Sequence, residues 1–112
     1  MALNDAQFYL AKLAEECNEV AQRALKQMQF GKDESQAANP FNQREVTDEM
    51  KLTSAQRLGG EIIDLLATIE VLARIGEVPT ITYGEYLKVL DEKIAKMDKY
   101  KKYSQSLGLV QP

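Results

Sequence analysis

The sequence predicts an all-α chain with three main helices. Three long stretches carry apolar residues at steps of three and four, each stretch opens on a capping box, and the first two close on glycine. No segment alternates in polarity beyond the short stretch 78–82, so no sheet is expected. Three helices of which one is very apolar make a thin core. Self-association into a four-helix bundle, two helices from each chain, is therefore expected.

The first helix is expected over 5–30. Asn4 is its N-cap and Gln7 stands at the capping-box position. Phe8, Leu13, Cys17, Val20, Ala24 and Met28 then line one face, and Gly31 supplies the stop. Residues 31–53 change character, with Asn39-Pro40, a charged run over 44–51 and few large apolar groups. A connection longer than about 12–15 residues is usually functional or slack. Two readings stand, an active-site lid and a loose insertion, with a short helical turn expected around 43–50.

Thr53 and Gln56 form the second capping box and introduce Leu58, Ile62, Ile63, Leu65, Leu66 and Ile69, a strongly apolar helix over 54–75 that ends at Gly76. Gly59-Gly60 lies in its first half. Two glycines inside a helix each cost about 1 kcal/mol relative to alanine. Either the helix starts after them or they admit another backbone or a ligand. Thr82 and Glu85 open the third helix, with Tyr86, Leu90, Ile94 and Met97 on one side and six lysines decorating it. From Gly108 to residue 112 a frayed tail is expected. The whole chain, 1–112, reads as one domain.

Composition narrows the chemistry. The 112 residues are 45% hydrophobic and 28% charged, ordinary values for a folded chain. There is no His and one Cys. That excludes His-based nucleophilic catalysis, a His general base, a His-carboxylate iron site and a Cys-rich zinc site. A metal would have to be held mainly by oxygen, which selects Mg²⁺, Mn²⁺ or Ca²⁺. The net charge of −3 gives no basic footprint for nucleic acid or an anionic membrane. Residues 1–82 carry 13 acidic and 8 basic side chains, whereas residues 83–112 carry 4 acidic and 6 basic. The N-terminus lacks the pattern of a signal peptide, and no apolar run is long enough for a membrane span, so a cytoplasmic protein is expected.

Two carboxylate pairs stand within apolar helix faces: Glu16 with Glu19, and Glu61 with Asp64. At a spacing of three, each pair lies side by side on its helix. Ionised carboxylates at the edge of an apolar stripe are costly unless paired or metal-bound. Asp64, flanked by Ile62, Ile63, Leu65 and Leu66, looks the most enclosed. If the two helices packed antiparallel, the four acids would converge into an oxygen cage suited to Mg²⁺. The competing reading is a solvated acidic stripe, and the residues alone leave both open.

The run Leu13-Ala-Glu-Glu-Cys-Asn-Glu-Val20, followed by Glu61-Ile-Ile-Asp-Leu-Leu66, resembles the ExxE…ExxD signature of the all-α nucleoside triphosphate pyrophosphatases. This superfamily contains MazG-like proteins, dimeric dUTPases and phosphoribosyl-ATP pyrophosphatases. The resemblance covers roughly residues 8–30 and 55–103. It implies a Mg²⁺-dependent (or Mn²⁺-dependent) enzyme that hydrolyses an NTP or dNTP to the monophosphate and pyrophosphate. It implies Glu16, Glu19, Glu61 and Asp64 as metal ligands; a carboxylate not fully occupied by metal, Glu19 or nearly as well Glu16, is then expected to accept the proton of the attacking water. It implies Lys93 and Lys96 as phosphate-binding residues, with Asp91 where the family often has Asn. A homo-dimer or tetramer is implied, with a nucleotide as the substrate partner.

Two departures accompany it. The interval from Glu19 to Glu61 is longer than in most relatives, and it contains a second ExxD, Glu45 to Asp48. That pair lacks aliphatic flanks to bury and orient it, so Glu61 and Asp64 are preferred. Among alternatives, a phosphoribosyl-ATP pyrophosphatase is disfavoured because that branch usually has a His after its ExxD. A non-catalytic helical oligomerisation or interaction module remains open. A di-iron bundle would need Glu-x-x-His pairs, which the chain lacks. Phe8, Phe30, Phe41 and Asn18 are candidates for base selection, although Phe8 has the helical phase of a core residue.

Overall fold

The computed structural model describes residues 2–112 and is all-helical in its regular structure, with three α-helices and no strand among the described residues. The described chain forms two compact units, one ending at Pro79 and the other beginning at Thr80.

In the first unit, helix α1 spans Asp5–Phe30. The Asn4 side chain accepts from the Gln7 amide at 2.8 Å, and the Asn4 amide donates back to Gln7 Oε1 at 3.0 Å. Two of the donors that a helix start leaves unpaired are thereby satisfied. At the other end Gly31 adopts φ 90°, a conformation open to glycine, and its amide closes on the Gln27 carbonyl at 2.8 Å.

The linker carries local regular structure. It contains short 3₁₀ turns at Gln36–Ala38 and Glu49–Lys51, and an antiparallel bridge joins Ser35 to Thr53. The second turn falls at the end of the stretch where a helical turn is expected. The linker returns to the start of helix α2, Ser54–Arg74, where the Ser54 and Ala55 amides donate to the Glu34 and Lys32 carbonyls at 2.7 and 3.0 Å. Thr53 and Gln56 complete their capping box. α2 ends in a Schellman arrangement, with Gly76 at φ 81° and the Glu77 amide on the Leu72 carbonyl at 2.9 Å.

These end contacts make α1 and α2 antiparallel. The residues that directly follow α1 bond to the first turn of α2, and at the opposite end Asn4, Asp5 and Ala6 share a shallow pocket with Ile75 and Glu77. The helix α2 runs through Gly59 and Gly60, and a methyl on either would meet nothing within 4 Å. Among the described residues, no backbone or side chain from elsewhere in the chain uses the space that these glycines leave.

The core of this unit is small. Leu72 is fully buried and Met50 nearly so, yet Ile63 and Leu66 of α2 remain 66% and 58% exposed. Phe8 is also exposed, at 53%, and so does not serve as core packing within the chain as its helical phase suggested. Two helices bury only the strip along which they touch, so broad apolar faces are left uncovered.

In the second unit, helix α3 spans Tyr83–Ser106 behind a capping box between Thr82 and Glu85. The Lys102 ammonium lies 3.0 Å from an Asp98 carboxylate oxygen, and the rings of Tyr83 and Tyr86 stack at 6.3 Å. Beyond the helix, the Leu109 amide returns to the Ser104 carbonyl at 3.0 Å and Gln105 Nε2 donates to the Gln111 carbonyl at 2.9 Å. No described helix is long and apolar enough to cross a membrane.

Candidate metal centre

Glu16 sits in the middle of α1, on the strip that packs against α2, and is 4% exposed. Its Oε1 is 3.2 Å from Lys12 Nζ, one helical turn back, while its Oε2 is buried with no hydrogen-bond partner. A buried carboxylate oxygen without a donor is costly, because desolvation is uncompensated. The Lys12 ammonium is held in its charged form more firmly than usual, first by the hydrogen bond to Glu16 and then by the charges of Glu15 and Glu16.

From α2, Glu61 and Asp64 approach the same point. One oxygen from each of Glu16, Glu61 and Asp64 lies within 4.8 Å of the other two. Glu61 is half-buried, and its Oε2, like that of Glu16, is buried without a partner. A third orphaned atom, Gln27 Oε1, lies two turns beyond Glu19 on α1. Thr68 ties its hydroxyl to the Asp64 carbonyl at 2.9 Å, so the turn that carries Asp64 is braced from within α2.

Glu19 is not among the three converging acids but stands beside them. Its carboxyl is held above the usual range, first by a hydrogen-bonding contact with Glu61, then by burial and by the Glu61 charge, while a contact with Glu16 works the other way. Carboxylates that face each other bind a shared proton more tightly than either does alone.

The donor set suits a hard divalent cation. Every donor is an oxygen, and two buried oxygens lack partners. An octahedral Mg²⁺ at about 2.1 Å separates its ligands by about 3–4.2 Å. Three oxygens within 4.8 Å of one another are compatible with sharing one such ion.

Burial distributes differently from the expectation. Asp64 is exposed and Glu16 is the enclosed acid, because Ile62, Ile63 and Leu66 beside Asp64 are themselves uncovered in the chain. Aliphatic neighbours in sequence enclose a side chain only where something packs on them. Glu45 and Asp48 of the linker are both exposed, and Asp48 pairs with Lys51 at 3.4 Å instead of joining the acidic cluster. Lys93 and Lys96 stand on α3, exposed and in no ion pair among the described residues. Lys12 is the member of the cluster that sequence reasoning missed. Its signal was an i, i+4 relation to Glu16, an ordinary helix pairing that gains weight only once Glu16 is known to be buried.

No protein-family model, curated protein or solved structure matches the chain.

Proposed function

We propose that this chain is a Mg²⁺-dependent nucleoside triphosphate pyrophosphohydrolase of the MazG-like type, converting an NTP or dNTP and water to the monophosphate and pyrophosphate. The observation that carries the reading is the meeting of Glu16, Glu61 and Asp64 oxygens within 4.8 Å across two helices, two of them from residues with an orphaned buried oxygen. A solvated acidic stripe gives no reason to bury Glu16.

In this reading Glu16, Glu61 and Asp64 hold the ion, and Glu19 completes the set or stands next to it. Held there, Mg²⁺ (or Mn²⁺) would supply neutralisation of phosphate charge and a lowered pKa for a bound water, without a His. Glu19 would accept the proton of the water that attacks the α-phosphorus. The family resemblance adds Lys93 and Lys96 as the residues that would offset charge on the leaving pyrophosphate. The cytoplasm is the natural place for an enzyme acting on the nucleotide pool.

The uncovered faces of α1 and α2 support self-association as a homo-dimer or tetramer with a four-helix-bundle core. The same exposed faces also favour a second reading, a non-catalytic helical interaction module. Pyrophosphate release from a panel of NTPs and dNTPs, with and without Mg²⁺, separates the two. Release that requires the cation supports the enzyme; a folded oligomer that releases none and binds no Mg²⁺ supports the module.

A further inference from the structure

Where the linker meets α2, the first unit contains a pocket of about 630 Å³. Arg23, Lys26 and Phe30 of α1, Arg57 of α2, and linker residues 34–36 and 38–41 wall it. Three cations thus face a single acid, and that acid is occupied: Glu34 Oε2 accepts from the Ser54 hydroxyl at 3.1 Å. Arg23, Lys26 and Arg57 enter no ion pair among the described residues. The first amides of α2 are taken by Glu34, Lys32 and Thr53, so an anion here would be held by side chains and not by the helix end.

The rim is aromatic. Phe41 is 87% exposed and Phe30 57%, although each lines the pocket. The Phe41 amide donates to Asn39 Oδ1 at 2.9 Å, an Asx turn that fixes the backbone carrying this ring. Exposed rings beside unpaired guanidinium groups match a ligand that is flat and apolar at one end and anionic at the other.

The pocket also lies next to the carboxylates. Arg57 precedes Glu61 by four residues, and Arg23 follows Glu19 by four. In an antiparallel pair both positions fall one turn, about 6 Å, from the acids and on the same side of them.

We propose that this pocket binds the nucleoside monophosphate part of the substrate. Arg23 and Arg57 take the phosphate nearest the carboxylates, and Phe41, with Phe30, stacks on the base. The inference rests on the hydrolase reading for its placing of a substrate phosphate at the acids. It makes the linker a substrate-binding element.

Calorimetric titration of the full chain in EDTA with AMP, GMP, CMP, UMP and their deoxy forms, and with ribose 5-phosphate, tests it. At least one monophosphate is expected to bind. Phe41→Ala should weaken that binding about tenfold or more, the loss expected when a base–aromatic stack is removed, while leaving ribose 5-phosphate unchanged. Arg57→Gln should weaken both. Phe41 is so exposed that its truncation leaves the fold intact, which circular dichroism verifies. The inference is overturned if no monophosphate binds, or if Phe41→Ala and Arg57→Gln bind the monophosphates as the unaltered chain does. Because the titration contains no metal and follows no turnover, its failure leaves the hydrolase reading standing. Conversely, absence of pyrophosphate release in the separate assay leaves the monophosphate binding measured by titration unaffected.

Discussion

Lys12 Nζ lies 3.2 Å from Glu16 Oε1, while Oε2 of the same buried carboxylate has no partner. One side of Glu16 is neutralised from its own helix and the other faces the acids of α2. Lys12 therefore serves as the counter-charge of the metal-free cluster. Lys12→Gln should lower the thermal midpoint in EDTA, because it leaves a buried carboxylate uncompensated. Saturating Mg²⁺ should restore much of the loss. Thermal unfolding of both proteins with and without Mg²⁺ checks this; equal midpoints in EDTA would show that Lys12 does not balance the cluster.

Glu19 makes the metal-free chain sensitive to pH. Its folded pKa is raised above the ordinary 4.5, first by the contact with Glu61, so folding favours its protonated form. The associated stability is present at low pH and is lost as pH rises through the raised value. Glu19→Gln should flatten this dependence and stabilise the metal-free protein at neutral pH. Urea midpoints between about pH 4 and 8 measure it. A Glu19→Gln curve parallel to that of the unaltered chain would show that the contact with Glu61 carries no free energy.

The two ExxD pairs should respond in opposite ways to mutation. Asp64→Asn removes the negative charge from one of the three converging donors and is expected to weaken Mg²⁺ binding and turnover by at least about 10–100-fold, the loss typical even for groups that only support a metal ligand. Helicity and oligomer size should be unchanged. Asp48→Asn, at an exposed site paired only with Lys51, should have no effect on either property. The reverse pattern would move the site into the linker.

A charge on the uncovered face of α2 should disrupt assembly. Ile63 and Leu66 are 66% and 58% exposed, and covering such a side chain fully is worth about 1.5–3 kcal/mol. Ile63→Glu is expected to lower the oligomer mass in sedimentation equilibrium. If the unaltered chain is already a monomer at micromolar concentration, the four-helix bundle falls.

Helix limits were legible because they are local. The boxes Asn4–Gln7, Thr53–Gln56 and Thr82–Glu85 and the turns at Gly31 and Gly76 all act within a few residues. The spacing of Glu61 and Asp64 on one helix was legible for the same reason. Burial was not, because it depends on what packs opposite: Asp64, flanked by aliphatics, is exposed, whereas Glu16, in a more polar run, faces α2. The pocket was hidden too. Arg23, Phe41 and Arg57 are far apart in sequence and meet only because the linker folds back onto α2 through Glu34 and Ser54.

The proposed hydrolysis of a nucleotide depends on a cation held by carboxylates from two helices. Pyrophosphate release by the unaltered chain and by Asp64→Asn, assayed across all common NTPs and dNTPs with Mg²⁺ and again in EDTA, tests it most directly. The expected result is release from at least one nucleotide that requires Mg²⁺ and is lost in Asp64→Asn. Release from none of them, or release that persists in EDTA, would contradict it.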